Sequence, residues 1–354
     1  MAEAKSIEAL AVHFTAGTAA AALLVRACDA DPWLLSGGLF LFLASLLVAV
    51  LRTGRPAFLF PAFLLCGAVC FLTDALSGGG GAPGWADASA VRLRAFIDAL
   101  PFPSEGTAPL LKALLTGDRS GLSRETTAVF RTSGASHLLA LSGLHMGILY
   151  LLLSKAFIPL GNSPAAKGFR YGAVLVAAGF FTRMTGASPS IVRAFLFIVL
   201  NETARLLHRP RNPLKVLSAA LLVQLVLTPS AVTSAGFQLS YLAMAGIFLL
   251  YPILEGWYPQ GFRHDPVRKV WQAAALSISC QAFTGPLAWY RFHTFPKYFL
   301  LTNLLAMPLT TLLMGTAVAT LLLSGLGCCP GMLIRATDFL ATALVRVLEI
   351  ISTM

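Results

Sequence analysis

Long apolar runs constrain this chain more than any other feature. A spanning helix needs roughly 20 apolar residues to cross about 30 Å of hydrocarbon. Runs of that kind lie near 9–25, 33–51, 57–73, 138–160, 169–183, 189–205, 214–228, 235–254, 270–290, 298–323 and 331–350. Composition agrees: 57% of the 354 residues are hydrophobic and 12% are charged, against about a quarter charged in soluble domains. The expected fold class is all-α, a polytopic integral membrane helical bundle with ten or eleven transmembrane helices. The first run, with His13 and two threonines, and the last, with Arg335, Asp338 and Arg346, are the weakest. The stretch before the first run carries one Lys and two Glu, which is not the basic start of a cleaved signal peptide; a retained signal anchor is an equal reading.

Three segments follow from these runs. Residues 1–76 read as an N-terminal three-span membrane segment, 77–133 as a linker with amphipathic interfacial helices, and 134–354 as a polytopic core. The long connection opens with Ser77 and Gly78–Gly84, a flexible-linker composition. Helical patterns follow over 87–100, 107–116 and 123–131, expected to rest along the membrane surface. Basic residues favour cytoplasmic loops. With the N-terminus inside, the short inner loops hold twelve of them, Arg209, Lys215 and Lys269 included, and the short outer loops hold five: Arg26, Arg183, Arg193, Arg291 and Lys297. The expected location is therefore a plasma membrane, with a cytoplasmic N-terminus. The net charge of +11 follows from those loops without invoking nucleic acid. The six cysteines form no zinc-type pairing and read as small buried apolar residues. No metal, cofactor or catalytic residue is expected.

Polar groups inside apolar runs mark pathways or sites. The densest case is Ser136–Gly147. On a continuous helix Ser142 and His145 would share a face, and His137 would lie roughly 12 Å away along the axis. Gly143 and Gly147, four apart, would permit close helix contact. Three readings stay open: hydrogen bonding between helices, a wet transport cavity, and a Ser–His pair without an evident third member. Ser188-Pro189-Ser190 reads as an interrupted helix entry, with Arg193 either binding phosphate or snorkelling. Gln238 and Ser240 fall near one end of a run. Gln281 to Pro286 is expected to break the next helix, and Asn303 with Pro308 the one after. Broken helices with polar groups suit a transport bundle.

Four segments, in order, resemble the ComEC family, which forms the inner-membrane DNA-uptake channel of transformable bacteria. They are Leu114–Ser120 with Ser136–His145, then Ser188–Ala194, then Gly236–Ala243, then Phe295-Pro296 with Asn303–Leu309. The resemblance implies a channel for single-stranded DNA. It also implies separate DNA-receptor, nuclease and cytoplasmic translocase partners, a lipid bilayer, and compatibility with a homo-oligomer. His137, Ser142, Gly143, His145, Arg193, Gln238, Ser240 and Asn303 are the pore candidates; Arg183, Arg193 and Arg291 are the phosphate-contact candidates. The family's OB-type and metallo-β-lactamase-like domains have no counterpart in this sequence, so a minimal form is expected. The alternative is a transporter or membrane-embedded enzyme for an envelope lipid or small metabolite.

Overall fold

In a computed structural model, residues 7–28, 68, 85–161, 163–206, 212–258, 266–293 and 296–354 are described. The runs at 33–51 and 57–73, apart from Ala68, and the glycine linker lie outside the described residues. The described residues are all-α, with no strand among them. In chain order the helices are α1 (Ile7–Cys28), α2 (Trp85–Asp98), α3 (Thr107–Thr116), α4 (Arg124–Thr132), α5 (Ser136–Leu139), α6 (Gly143–Ala156), α7 (Pro164–Met184), α8 (Pro189–Leu206), α9 (Pro213–Leu227), α10 (Ala235–Leu249), α11 (Tyr251–Gly256), α12 (Pro266–Phe292), α13 (Phe299–Gly325) and α14 (Gly331–Ser352). Two stretches, Ala235–Gly256 and Phe299–Gly325, are long and apolar enough to cross a bilayer, each with mean hydropathy 1.7. The chain is an all-α membrane protein.

Helix starts follow local chemistry. Ser123, Ser163 and Asn212 each accept a backbone N–H at the head of α4, α7 and α9, satisfying donors that a helix terminus leaves unpaired. Proline opens α7, α8 and α9, where its missing N–H costs nothing. Gly117 ends α3 in the left-handed region at φ 78°. The turn from α7 into α8 places Gly186 and Ala187 at φ 75° and 50°, just before Pro189.

The chain divides into two compact units, 1–82 with 195–244, and 83–194 with 245–354. In the first, α1 packs on α9 and on the 3-10 turn Pro229–Thr233 through Ala11, Phe14 and Ala21, all buried. Tyr241 donates its hydroxyl to Gln224 Oε1 at 2.9 Å in that interior, so a polar pair is buried satisfied.

In the second unit α13 and α14 pair along buried Ala306, Ala317 and Ala341, small residues that let helices approach closely. Thr320 and Thr337 hydroxyls meet between them at 3.0 Å. α3 buries Leu110, Leu111 and Leu114 in one core with Leu313, Leu344 and Leu348.

Two expectations about helix breaks are corrected. α12 runs unbroken through Pro286, and α13 through Asn303 and Pro308. A proline removes one hydrogen bond, and a helix packed among neighbours tolerates that loss. Conversely, the run at 138–160 is not one helix: it stops after Leu139 and restarts at Gly143.

Asp338, which weakened the last apolar run, is 7% exposed and accepts three hydrogen bonds. Ser104 N–H donates at 3.1 Å, Ser104 Oγ at 2.8 Å and Thr107 Oγ1 at 2.6 Å. This carboxylate fastens the start of α3 to α14. Hydrogen bonds to charged groups contribute about 1.5–3 kcal/mol each. Asp338→Ala is therefore expected to lower the melting temperature of the detergent-solubilised protein markedly, with Asp338→Asn intermediate. An unchanged melting curve for the alanine variant would contradict this role.

Candidate functional site

The segment 133–145, between α4 and the body of α6, is where the polar groups of the second unit gather. Gly134 adopts φ 81°, and a Cβ there would lie 2.5 Å from Pro296 Cβ. Glycine is needed at this position both for its backbone angle and for the proline that packs against it. Thr302 Oγ1 donates to Ser133 O at 2.6 Å. His137, exposed on the short α5, has Nδ1 3.1 Å from Gly134 O.

α5 is followed by extended backbone at Ala140 and Ser142. Arg119 donates Nε to Leu139 O at 3.1 Å, capturing a carbonyl that the helix end leaves free. Arg119 belongs to a tight loop. Asp118 accepts from Ser120 Oγ at 2.7 Å and Ser120 N–H at 3.0 Å, and pairs with Arg94 at 3.3 Å. The two Ser120 donors, with Arg94 and Lys112 nearby, hold the Asp118 carboxyl below its ordinary value. Next door, a Cβ on Gly117 would press on Leu141 Cδ1 at 2.6 Å.

Ser142 does not share a helix face with His145, as a continuous helix would require. It is the N-cap of α6, and its Oγ accepts Leu144 N–H at 3.3 Å. His145 returns the contact, with Nδ1 accepting Ser142 N–H at 3.2 Å and lying 3.1 Å from Ser142 Oγ. This is the reciprocal arrangement of a capping box. With Nδ1 an acceptor, the proton of the neutral ring sits on Nε2. That atom is buried with no hydrogen-bond partner. His145, 2% exposed, borders a cavity of about 120 Å³ otherwise lined by apolar side chains such as Ile148, Phe181, Met184 and Met314. Among the described residues no carboxylate orients the imidazole, so the geometry supplies a helix cap and a buried donor rather than a nucleophile–base pair.

Gly143 sits where Arg193 arrives from α8. A Cβ on Gly143 would lie 3.1 Å from an Arg193 guanidinium nitrogen and 3.7 Å from Ala194 Cβ. Arg193 itself is 8% exposed. Gly147, by contrast, would meet nothing within 4 Å; it forms no close contact. The close helix approach is elsewhere, at Gly246, whose added Cβ would collide with the Ser279 carbonyl oxygen.

The second unit thus gathers Ser142, Gly143, His145 and Arg193. Asn303, in α13, has Oδ1 buried without a partner. Arg183 and Arg291 are exposed near the ends of α7 and α12. Gln238 and Ser240 belong to the first unit, where Gln238 Nε2 donates to Val232 O at 2.8 Å. Sequence reasoning passed over Gly134, Pro296 as its contact, Thr302 and Asp338. The signal for Asp338 was present, since a carboxylate in an apolar helix demands partners. The packing of Gly134 on Pro296 has no local signature.

These features define a helical membrane protein with a broken, polar-bearing segment held by distant parts of one unit. The chain belongs to the competence protein family, whose model matches residues 114–354. It is 29% identical over 227 residues to ComE operon protein 3 of Bacillus subtilis, covering 64% of this chain and 27% of that protein. It is 27% identical over 203 residues to the uncharacterized protein YcaI of Escherichia coli, covering 55% and 26%. It is 25% identical over 215 residues to Recombination protein 2 of Haemophilus influenzae, covering 58% and 27%. The aligned part thus spans about a quarter of the length of these relatives. No solved structure matches. The resemblance carried by the four ordered segments is thereby confirmed as family membership.

The two glycines give a direct test. Gly147→Ala, in open space, is expected to be neutral or stabilising by up to about 1 kcal/mol. Gly143→Ala is expected to displace Arg193 and impair activity while membrane levels stay near normal. Quantitative immunoblotting alongside an activity assay separates the two; equal behaviour of the variants would remove the special role of Gly143.

Proposed function

We propose that this chain forms the membrane passage for single-stranded DNA during natural transformation. The observation that carries this reading is family membership over residues 114–354. The names of two relatives, a ComE operon protein and a recombination protein, point the same way. In this reading the chain lies in the bacterial plasma membrane with its N-terminus in the cytoplasm. Surface capture, strand degradation and inward pulling are assigned to partner proteins. Transit of a polyanion needs cationic contacts to phosphates. Arg193, buried at the head of α6, is the leading candidate, with Arg183 and Arg291 as exposed contacts nearer the helix ends. Irregular backbone at 140–142 belongs where it is buried in protein or lines a wet path.

A second reading, transport or modification of an envelope lipid or small metabolite, is favoured by one observation: the small apolar cavity beside His145 Nε2. A membrane-soluble molecule with a single hydrogen-bond acceptor would suit it.

Deletion in a transformable host is expected to abolish transformation while external DNA binding persists, because passage follows capture. Arg193→Gln is expected to lower uptake, and Arg193→Lys to retain part of it, keeping charge without the planar fork. Wild-type transformation in the deletion strain, with no second family member present, would sink the channel reading and advance the envelope reading.

Orientation is tested separately. In a cysteine-free background, Lys269→Cys is expected to resist an impermeant maleimide from outside and Lys297→Cys to react. The opposite pattern would invert the topology.

A further inference from the structure

Around Arg291, the end of α12 carries aromatic side chains to which the passage reading gives no role. Residues 289–298 include Trp289, Tyr290, Phe292, Phe295 and Tyr298, interleaved with Arg291, His293 and Lys297, and contain no acidic residue. In a chain that is 10% aromatic and 12% charged overall, this is a strong local concentration. The aromatic faces are not core: Trp289 is 57% exposed, Tyr290 75% and Phe292 52%. Trp289 and Phe292 are three residues apart, one turn on the same side of the helix. His293 ends the helix at φ 51°, a region sparsely used by residues other than glycine and associated with functional strain.

A groove of about 480 Å³ opens beside this ridge, with Trp289 and Phe299 as aromatic walls and Gln281 the polar side chain among its lining residues. Pro296, beyond the ridge, packs against Gly134. The ridge therefore belongs to the same unit as the candidate site and lies next to its anchoring contact.

We infer that this ridge is a stacking platform for single-stranded DNA: bases lie on Trp289, Tyr290 and Phe292, and Arg291 and Lys297 face the phosphates. The inference rests on the passage reading above. Aromatic faces accept any base, and interleaved cations track the backbone, which is the chemistry of sequence-tolerant single-strand binding. A headgroup-level aromatic belt is the competing occupant. The charge argues against it. With the N-terminus inside, this loop is external, where the positive-inside bias leaves basic residues depleted, yet the exposed Lys297 stands there in a segment, 289–298, that holds no acidic residue. A polyanion arriving from outside is the partner that this charge complements.

The test uses the full chain in nanodiscs with fluorescein-labelled oligo-dT as probe. W289A/Y290A, which removes two base stacks, is expected to weaken binding roughly thirtyfold or more. W289F/Y290F, which keeps both rings, is expected to bind near wild type, which excludes misfolding as the cause. R291Q/K297Q is expected to shallow the dependence of log affinity on log salt by about 0.7 per cation removed. Oligo-dT is also expected to quench the tryptophan emission that is lost in W289F. Wild-type affinity of W289A/Y290A overturns the platform. So does emission quenched by headgroup-labelled lipids and indifferent to oligo-dT, which would assign the ridge to the bilayer interface. The two levels separate cleanly. If deletion abolishes transformation but W289A/Y290A binds and transforms normally, the platform alone fails. If deletion leaves transformation intact, the passage reading fails and the platform with it.

Discussion

A helix that stops and restarts among apolar neighbours exposes backbone donors and acceptors that have no water to turn to. Each such group left unpaired costs free energy comparable to a lost hydrogen bond, and lipid-exposed irregular backbone is not tolerated at depth. The break between Leu139 and Gly143 sets this requirement, and the surrounding contacts answer it one group at a time. Arg119 takes the Leu139 carbonyl. His145 takes the Ser142 N–H, and Ser142 takes the Leu144 N–H. Thr302 takes the Ser133 carbonyl. The break survives because residues far apart in sequence converge on it.

That convergence gives the ordered motif segments a physical meaning. The segment at 114–120 supplies Gly117, which accommodates Leu141, and Arg119, the carbonyl clamp. The segment at 188–194 supplies Arg193, admitted to the head of α6 by the absence of a side chain on Gly143. The segment at 295–309 supplies Pro296 against Gly134 and Thr302 against Ser133. These are the residues a broken segment needs around it, and they explain why short polar motifs recur within a chain otherwise dominated by apolar runs. Asp338 performs the same service at a distance: by fastening Ser104 and Thr107 to α14, it holds the α3 core on which the 117–120 loop is built.

Most helices were legible from sequence because length and apolar content are local properties. The runs near 189–205, 298–323 and 331–350 became α8, α13 and α14 with shifts of a few residues. Breaks were not legible. Pro308 and Pro286 announced interruptions that neighbouring helices absorb. The real interruption at 140–142 carries no proline and continues an apolar run, Leu138 to Leu141, unbroken in composition. What creates it is tertiary: a guanidinium, a cap and a packed glycine supplied from elsewhere. The same limit applies to the candidate site. Ser142 and His145 were recognised as partners, but their relation as cap and capped end depends on where the helix begins, which periodicity alone cannot reveal.

The electrostatics of the site follow from this construction. Of the ring nitrogens of His145, one is consumed by the cap, and the residue borders an apolar cavity. The positive charge at the head of α6 comes from Arg193, whose guanidinium keeps its charge when buried. A helix N-terminus favours anions through its dipole, and the Arg193 guanidinium beside Gly143 adds a charge of the same sign. His145 thus serves the break through its contact with the Ser142 N–H, and Arg193 brings the charge. Division of the two roles between separate residues lets the break be stabilised by one side chain and charged by another.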